Sequence, residues 1–387
     1  MTSPLNQVSL KRLSNYTPDQ VDQALHDLLA PLGGMEQFVS PGQTVLIKPN
    51  LLSGKHPDAA VTTHPQIVRA VIRAVQNAGG HPSVGDSPGV GSPHQVATRA
   101  GIMEVINKTG ARFAPFSESV TVQTGQGTFH TFEIAKDIVE ADLIINLPKL
   151  KTHQMMGLTC AVKNMFGAVV GMRKPRLHLQ AGSNKSFFAL LLLELVEQIS
   201  PALTIVDGVV GMEGDGPGSG DPVDIGVLMA GAHPLAVDTV ATELVGFKAK
   251  QVWTQTVARE TGRTLTHIDD IDLHGDDLDA LRPDHFIAAK GTDVDFGLPA
   301  FIKHPLKNSL TARPVPDMTL CQRCGLCVRH CPPKVMTLSN KRLQIDYHRC
   351  IRCFCCQELC PHGAFTTRQG LLLRLSDVFK GQKNSAE

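Results

Sequence analysis

The chain has 387 residues, 42% of them hydrophobic and 19% charged, which excludes wholesale disorder and collagen-like or coiled-coil architectures. At about 150 residues per domain, that length predicts two or three domains. Thirty-seven Lys and Arg against 36 Asp and Glu leave a formal charge of +1, and aromatic residues reach only 5%. This balance excludes a general nucleic-acid surface, an anionic-membrane surface and a base-stacking platform.

In chain order, residues 1–16 are polar and lack the apolar core of a signal peptide. Thr17 before Pro18 opens a predicted helix over 19–29. A short strand is predicted over 44–47, and a helix over 65–77 with Ile67, Val71, Ile72 and Val75 on one stripe. A second helix is expected over 94–108, and a hairpin over 120–134 added to the main sheet. A buried strand over 143–147, an apolar helix over 185–199, strands over 203–206 and 225–229, and helices over 235–246 and 252–261 complete the alternation. Its expected fold class is an α/β layered domain with a mostly parallel sheet, over residues 1–310. The greasiest run, 187–196, is about half a bilayer span, so no membrane is expected and the location read is cytoplasmic. Residues 311–318, with two prolines and no period, read as a linker. A small α+β domain is expected over 319–366, then an amphipathic helix within 370–380 and a frayed tail.

Nine of the ten cysteines lie between Cys321 and Cys360. They form two runs of one spacing, offset by 29 residues: Cys321, Cys324, Cys327, Cys331-Pro332 and Cys350, Cys353, Cys356, Cys360-Pro361. This CxxCxxCxxxCP spacing belongs to ferredoxins with two 4Fe-4S clusters. Three thiolates on one tight turn hold three corners of a cubane, and the fourth thiolate of each run reaches the other cluster. The ligand sets are therefore Cys321, Cys324, Cys327 and Cys360 for cluster I, and Cys350, Cys353, Cys356 and Cys331 for cluster II. Zinc sites use fewer ligands and longer gaps. Cys355 breaks the spacing and reads as a packed free thiol, as does Cys160. Residues 321–360 carry an excess of five positive charges, against about −2 for each oxidised cluster with its thiolates.

In the large domain, polar residues follow the predicted strands, where ligands bind in open α/β sheets. Lys48, Lys149, Lys151 and Lys163 supply counter-charge for a phosphate or carboxylate, and glycines 208–220 read as a loop admitting an anion to backbone N–H groups. Neither GxGxxG nor GxxxxGK[ST] is present. The candidate catalytic residues are Lys151, His153 and Lys163. The candidate ligand-binding residues are Lys48, Asn50, Asp86, Lys149, Asn164, Asp207, Gly214 and Gly216. An oxygen-rich metal site of Asp86, Asp207, Glu213 and Asp215 is the competing use of the acids.

The strings Lys48-Pro49-Asn50, Gly85-Asp86-Ser87-Pro88, 147–159, Lys163-Asn164, Phe166-Gly167, Asp207-Gly208, 212–217 and Ala236-Val237-Asp238 resemble the family called domain of unknown function 362, over about 40–300. Residues 317–366 resemble the bacterial-type two-cluster ferredoxin domain, to which members of that family are often joined. The resemblance implies a fold and an iron–sulfur association but no settled reaction. The expected function is electron transfer through two 4Fe-4S clusters, serving a redox reaction on an anionic substrate with a redox partner or electron donor. The alternatives are a non-catalytic docking protein for a partner oxidoreductase and a metal-centre maturation factor.

Overall fold

The computed structural model describes residues 5–171, 173–292, 306, 308–339 and 342–375. The large domain is built on ten strands: β1 (Gln7–Arg12), β2 (Thr44–Pro49), β3 (His81–Val84), β4 (Arg112–Phe113), then, beyond the two-stranded hairpin β5 (Ser119–Gln123) and β6 (Thr131–Ala135), β7 (Leu143–Leu147), β8 (Lys149–His153), β9 (Gly157–Thr159), β10 (Leu203–Glu213), β11 (Asp221–Gly231) and β12 (Asp272–Gly275). The strand order is β12-β1-β11-β10-β7-β2-β3-β4, with β8 paired to β10 and β9. The run β10-β7-β2-β3-β4 is parallel throughout.

Helices cover both faces because the central strands are apolar on both. Val45 and Ile47 enter one core with the helices Pro18–Leu29 and Pro65–Asn77, whereas Leu46 between them enters the other with helix Lys185–Ile199. That alternation is the period of two of a pleated strand, and burial on both sides marks a parallel sheet under helices. Helix Pro65–Asn77 starts where His64 accepts the Gln66 amide at 3.2 Å, and it fully buries Ile67, Val71, Ile72 and Val75. Each such side chain is worth about 1.5–3 kcal/mol.

Several elements differ from expectation. The stretch 94–108 is two helices, Pro93–Arg99 and Ile102–Thr109, because Gly101 turns left-handed at φ 73°. The hairpin β5–β6 forms a sheet of its own, anchored by Phe132 and Ile134 against helix Lys185–Ile199. Residues 149–153, expected as a loop, are the buried strand β8. The first half of the expected glycine loop, 208–213, is the end of strand β10 in the antiparallel hairpin β10–β11, and 214–220 form the hairpin's tip.

The small domain pairs β13 (Arg313–Pro316) with β16 (Phe365–Arg368), and β14 (Met336–Ser339) with β15 (Arg342–Ile345). Residues 313–316, read as linker, are thus a strand, with Pro314 opposite Thr367 and Pro316 opposite Phe365. Of the helix expected within 370–380, residues 371–375 are helical; 376–387, with the expected tail, lie outside the described residues. Among the described residues, no helix is long and apolar enough to cross a membrane.

Candidate functional site

The two cysteine runs are repeats in backbone as well as in sequence. Arg323 and Arg352, 29 residues apart, are both left-handed, at φ 56° and 59°. The same holds for Gly325 and Phe354, and for Lys334 and Gly363. Each run therefore curls into the same turn, which gathers its first three thiols.

Cys321, Cys324 and Cys327 line a cavity together with Cys360. Cys350, Cys353 and Cys356 line a second, together with Cys331. Apolar side chains complete both: Leu326, Leu338, Leu343 and Phe365 in the first, Met336, Ile351 and Phe354 in the second. In each run the fourth cysteine crosses to the other cavity. Among the described residues, no three His, Cys, Asp or Glu side chains gather about a single-ion position. Four thiols spread around an apolar space fit a cubane better than a mononuclear zinc. Burial, and then the neighbouring Cys360, pushes the Cys327 thiol up to about 11, so metal loading must displace protons from crowded thiols. The second set is buried throughout; in the first, Cys324 is exposed and Cys321, Cys327 and Cys360 are half-buried. Cys355 lines neither cavity and hydrogen-bonds the Cys353 sulfur.

A third cavity opens at the C-terminal ends of β2 and β3. Asn50, Asp86, Lys151, His153, Lys163 and Asn164 line it, with Lys174 and, from the small domain, Glu358. Leu52, Phe166 and Pro217 are its apolar part. Lysines 48, 149 and 151 are among the largest fully buried side chains of the protein.

Lys48 meets Asp86 at 2.8 Å and donates to the Asn164 carbonyl at 2.6 Å. Gly167 packs against this pair, where a β-carbon would overlap both charged groups. Lys151 donates to Asn50 Oδ1 at 3.0 Å and to the Val61 carbonyl at 2.8 Å, and burial pulls it down to about 7. Lys174 donates to Ser87 Oγ at 2.9 Å and is also pulled down to about 7 by burial. Lys163 lies 5.0 Å from the centre of the Phe166 ring. Among the described residues, no carboxylate lies within ion-pair distance of Lys151, Lys163 or Lys174.

His153 is fully buried, which drives its pKa well below the usual histidine value. Its Nδ1 accepts the Met155 and Met156 amides at 3.0 and 3.2 Å. The ring proton therefore sits on Nε2, which has no partner. His153 is a neutral donor, not a base.

Not every expected residue converges on this cavity. Lys149 pairs with Asp207 at 2.8 Å, Tyr16 bonds both, and Asp207 also accepts the His64 amide. This satisfied network ties β8, β10 and the N-terminal segment together away from the cavity. Gly214 and Gly216 lie at the β10–β11 tip beside Thr152, and only their neighbour Pro217 lines the cavity. The four acids of the supposed metal site disperse, with Glu213 accepting the Ile287 amide and Asp215 facing Lys290. The sequence reading missed Lys174, Glu358 and Asp238. Asp238 accepts the Ala161 and Val162 amides at 2.6 and 3.2 Å and so holds the short helix Ala161–Asn164. The string Ala236-Val237-Asp238 was the available signal.

The model of the domain of unknown function 362 matches residues 45–243, and that of the 4Fe-4S dicluster domain matches 313–361. A thylakoid-associated protein from Synechocystis sp. is 35% identical over 301 residues, covering 78% of this chain and 94% of that protein. A trichloroethene reductive dehalogenase from Dehalococcoides mccartyi is 31% identical over 55 residues, 11% of this chain and 10% of that enzyme. The lactate racemase apoprotein from Thermoanaerobacterium thermosaccharolyticum aligns at a TM-score of 0.41 and 14% identity, over 65% of this chain and 58% of that one. That likeness is too loose to carry an argument.

Proposed function

We propose that this chain, which belongs to the domain of unknown function 362 family and carries a 4Fe-4S dicluster domain, delivers electrons through two clusters to a small anionic substrate held in the lysine-lined cavity. The ferredoxin-type domain makes it an iron–sulfur protein of electron transfer. Cys321, Cys324, Cys327 and Cys360 would hold one cluster, and Cys350, Cys353, Cys356 and Cys331 the other. When bound, these clusters supply electrons one at a time.

The observation that carries this reading is the placement of Glu358. It lies between Cys356 and Cys360, and its side of that turn is a wall of the lysine cavity. A substrate there sits beside the cysteine-bearing turn, as electron delivery needs. Lys163 and Lys174 bind the anion, Lys151 holds or gives up a proton near neutral pH, and His153 Nε2–H donates to a substrate oxygen. The exposed Cys324, with Leu320 and Leu338 also exposed nearby, suits the docking of a redox partner at the outer set. The buried inner set faces the large domain, where Cys353, Cys355 and Leu359 pack with Val90.

The test is native mass spectrometry with iron and sulfide analysis of anaerobically purified protein. About eight iron and eight sulfide per chain are expected. Cys353→Ala should lose about half the iron. A bound small anion should disappear in Lys163→Ala while the iron stays. Zinc in place of iron, or full iron retention in Cys353→Ala, overturns the cluster assignment. Turnover of an identified substrate that survives Lys163→Ala overturns the anion site.

A further inference from the structure

We propose that the lysine cavity holds a small dianion and that this dianion and the reduction of the adjoining iron–sulfur set oppose each other, so that the protein grips its anion when oxidised and loosens it when reduced. The inference rests on the reading above and adds the charge class of the ligand and a redox control of its affinity.

The charge class follows from the wall. Three lysines, 151, 163 and 174, line the cavity with two carboxylates, Asp86 and Glu358, and Asp86 is already paired with Lys48 behind the wall. With Lys151 and Lys174 protonated, two positive charges are left over in a buried space. A buried cation without a partner is expensive, so the cavity is complete only with about two negative charges in it. The Nε2–H of His153 is a second, independent sign. It is a buried donor on the same wall, its proton fixed by the two amides on Nδ1, and it has no acceptor. A ligand oxygen would satisfy it.

The redox control follows from the packing. Leu359 lies against Gly89, the Glu358 carbonyl lies against Gly218, and Lys55 donates to the Gly218 carbonyl at 2.7 Å. Glu358, in the turn between Cys356 and Cys360, lines the cavity, and the next residue, Leu359, is buried against Cys353. Each added electron makes a cluster one charge more negative, and in such a medium it repels a dianion that the same lysines attract. Linkage makes the effect reciprocal: if the anion disfavours reduction, reduction weakens anion binding by the same factor. A tenfold change in affinity corresponds to a 59 mV fall in a one-electron midpoint.

The experiment uses the full chain with its clusters loaded, titrated under argon and reduced photochemically with a deazaflavin. Inorganic phosphate and malonate serve as the probes, one tetrahedral and one a dicarboxylate. Calorimetry should find whichever probe fits bound about tenfold more weakly after reduction, and a titration followed by electron paramagnetic resonance should show a midpoint lowered by about 59 mV at saturation. Lys163→Met should abolish both effects with iron content unchanged. Glu358→Gln removes a wall charge without opening the cavity, and should tighten the probe several-fold and raise the midpoint. Equal affinity in both redox states, with an unmoved midpoint, overturns this inference and leaves the anion site standing. Failure of both dianions to bind in any state overturns the anion site and this inference together.

Discussion

Leu359 lies against Gly89 so closely that a β-carbon at residue 89 would come within 2.8 Å of its Cδ2. The contact joins the turn that carries the inner cysteine set to the loop that carries Asp86 and Ser87, and so fixes the wall that both sites share.

Gly89→Val should separate the two sites without emptying either. Overpacking of this kind costs about 1–3 kcal/mol. The expected result is a lowered unfolding midpoint, faster amide exchange over 86–90 and 353–360, and unchanged iron content. Hydrogen exchange read by mass spectrometry checks it; unchanged exchange at both segments would show that the contact is dispensable.

How much of this was legible follows from how local each signal is. The grouping of the cysteines about two cavities was legible, because three of each group lie within seven residues and the fourth follows from the repeat. The cavity was legible in part. Asn50, Asp86, Lys151, His153, Lys163 and Asn164 announce themselves as polar residues after apolar strands. Lys149 and Asp207 announce themselves in the same way, yet they satisfy each other beside Tyr16. Only the pairing of β8 with β10, irregular between Asp207 and Met212, separates Lys149 from Lys151. Lys174 lies in a basic helix with no strand before it, and Glu358 reaches the cavity only through the docking of the small domain. No spacing in the chain encodes either.

Anion binding should depend on pH in one direction. Burial pulls Lys151 and Lys174 down to about 7. The protonated form of each attracts an anion, so binding is full below that value and is lost as pH rises through it. A bound dianion favours the protonated form and moves the loss upward. His153 stays neutral over this range and adds no acid limb. Affinity for malonate, which is already a dianion across this range, measured between pH 6 and 9 should fall monotonically; a flat profile would mean that neither lysine carries the binding. The same depression makes the ligand-free protein bind fewer protons than its unfolded chain between about 7 and 10.5, so these two groups make it more stable as pH rises there.

Asp238 tests whether the cavity depends on a residue outside it. It sits on helix Pro234–Leu244, is itself buried, and accepts the two amides that start the helix Ala161–Asn164. That helix presents Lys163 to the cavity and places Asn164, whose side chain bonds Asn50 and Asn146. Asp238→Ala leaves two buried amides unpaired, at about 1–3 kcal/mol for each such group. Asp238→Asn keeps one carbonyl oxygen and should lose less. Both variants should retain their iron, because no cysteine of either set touches this helix. Anion affinity should fall in the order wild type, Asp238→Asn, Asp238→Ala, following the unfolding midpoint. A midpoint that falls while affinity holds would mean that Lys163 keeps its place without this anchor, and that Asn164 alone, through Asn50 and Asn146, is enough to fix it.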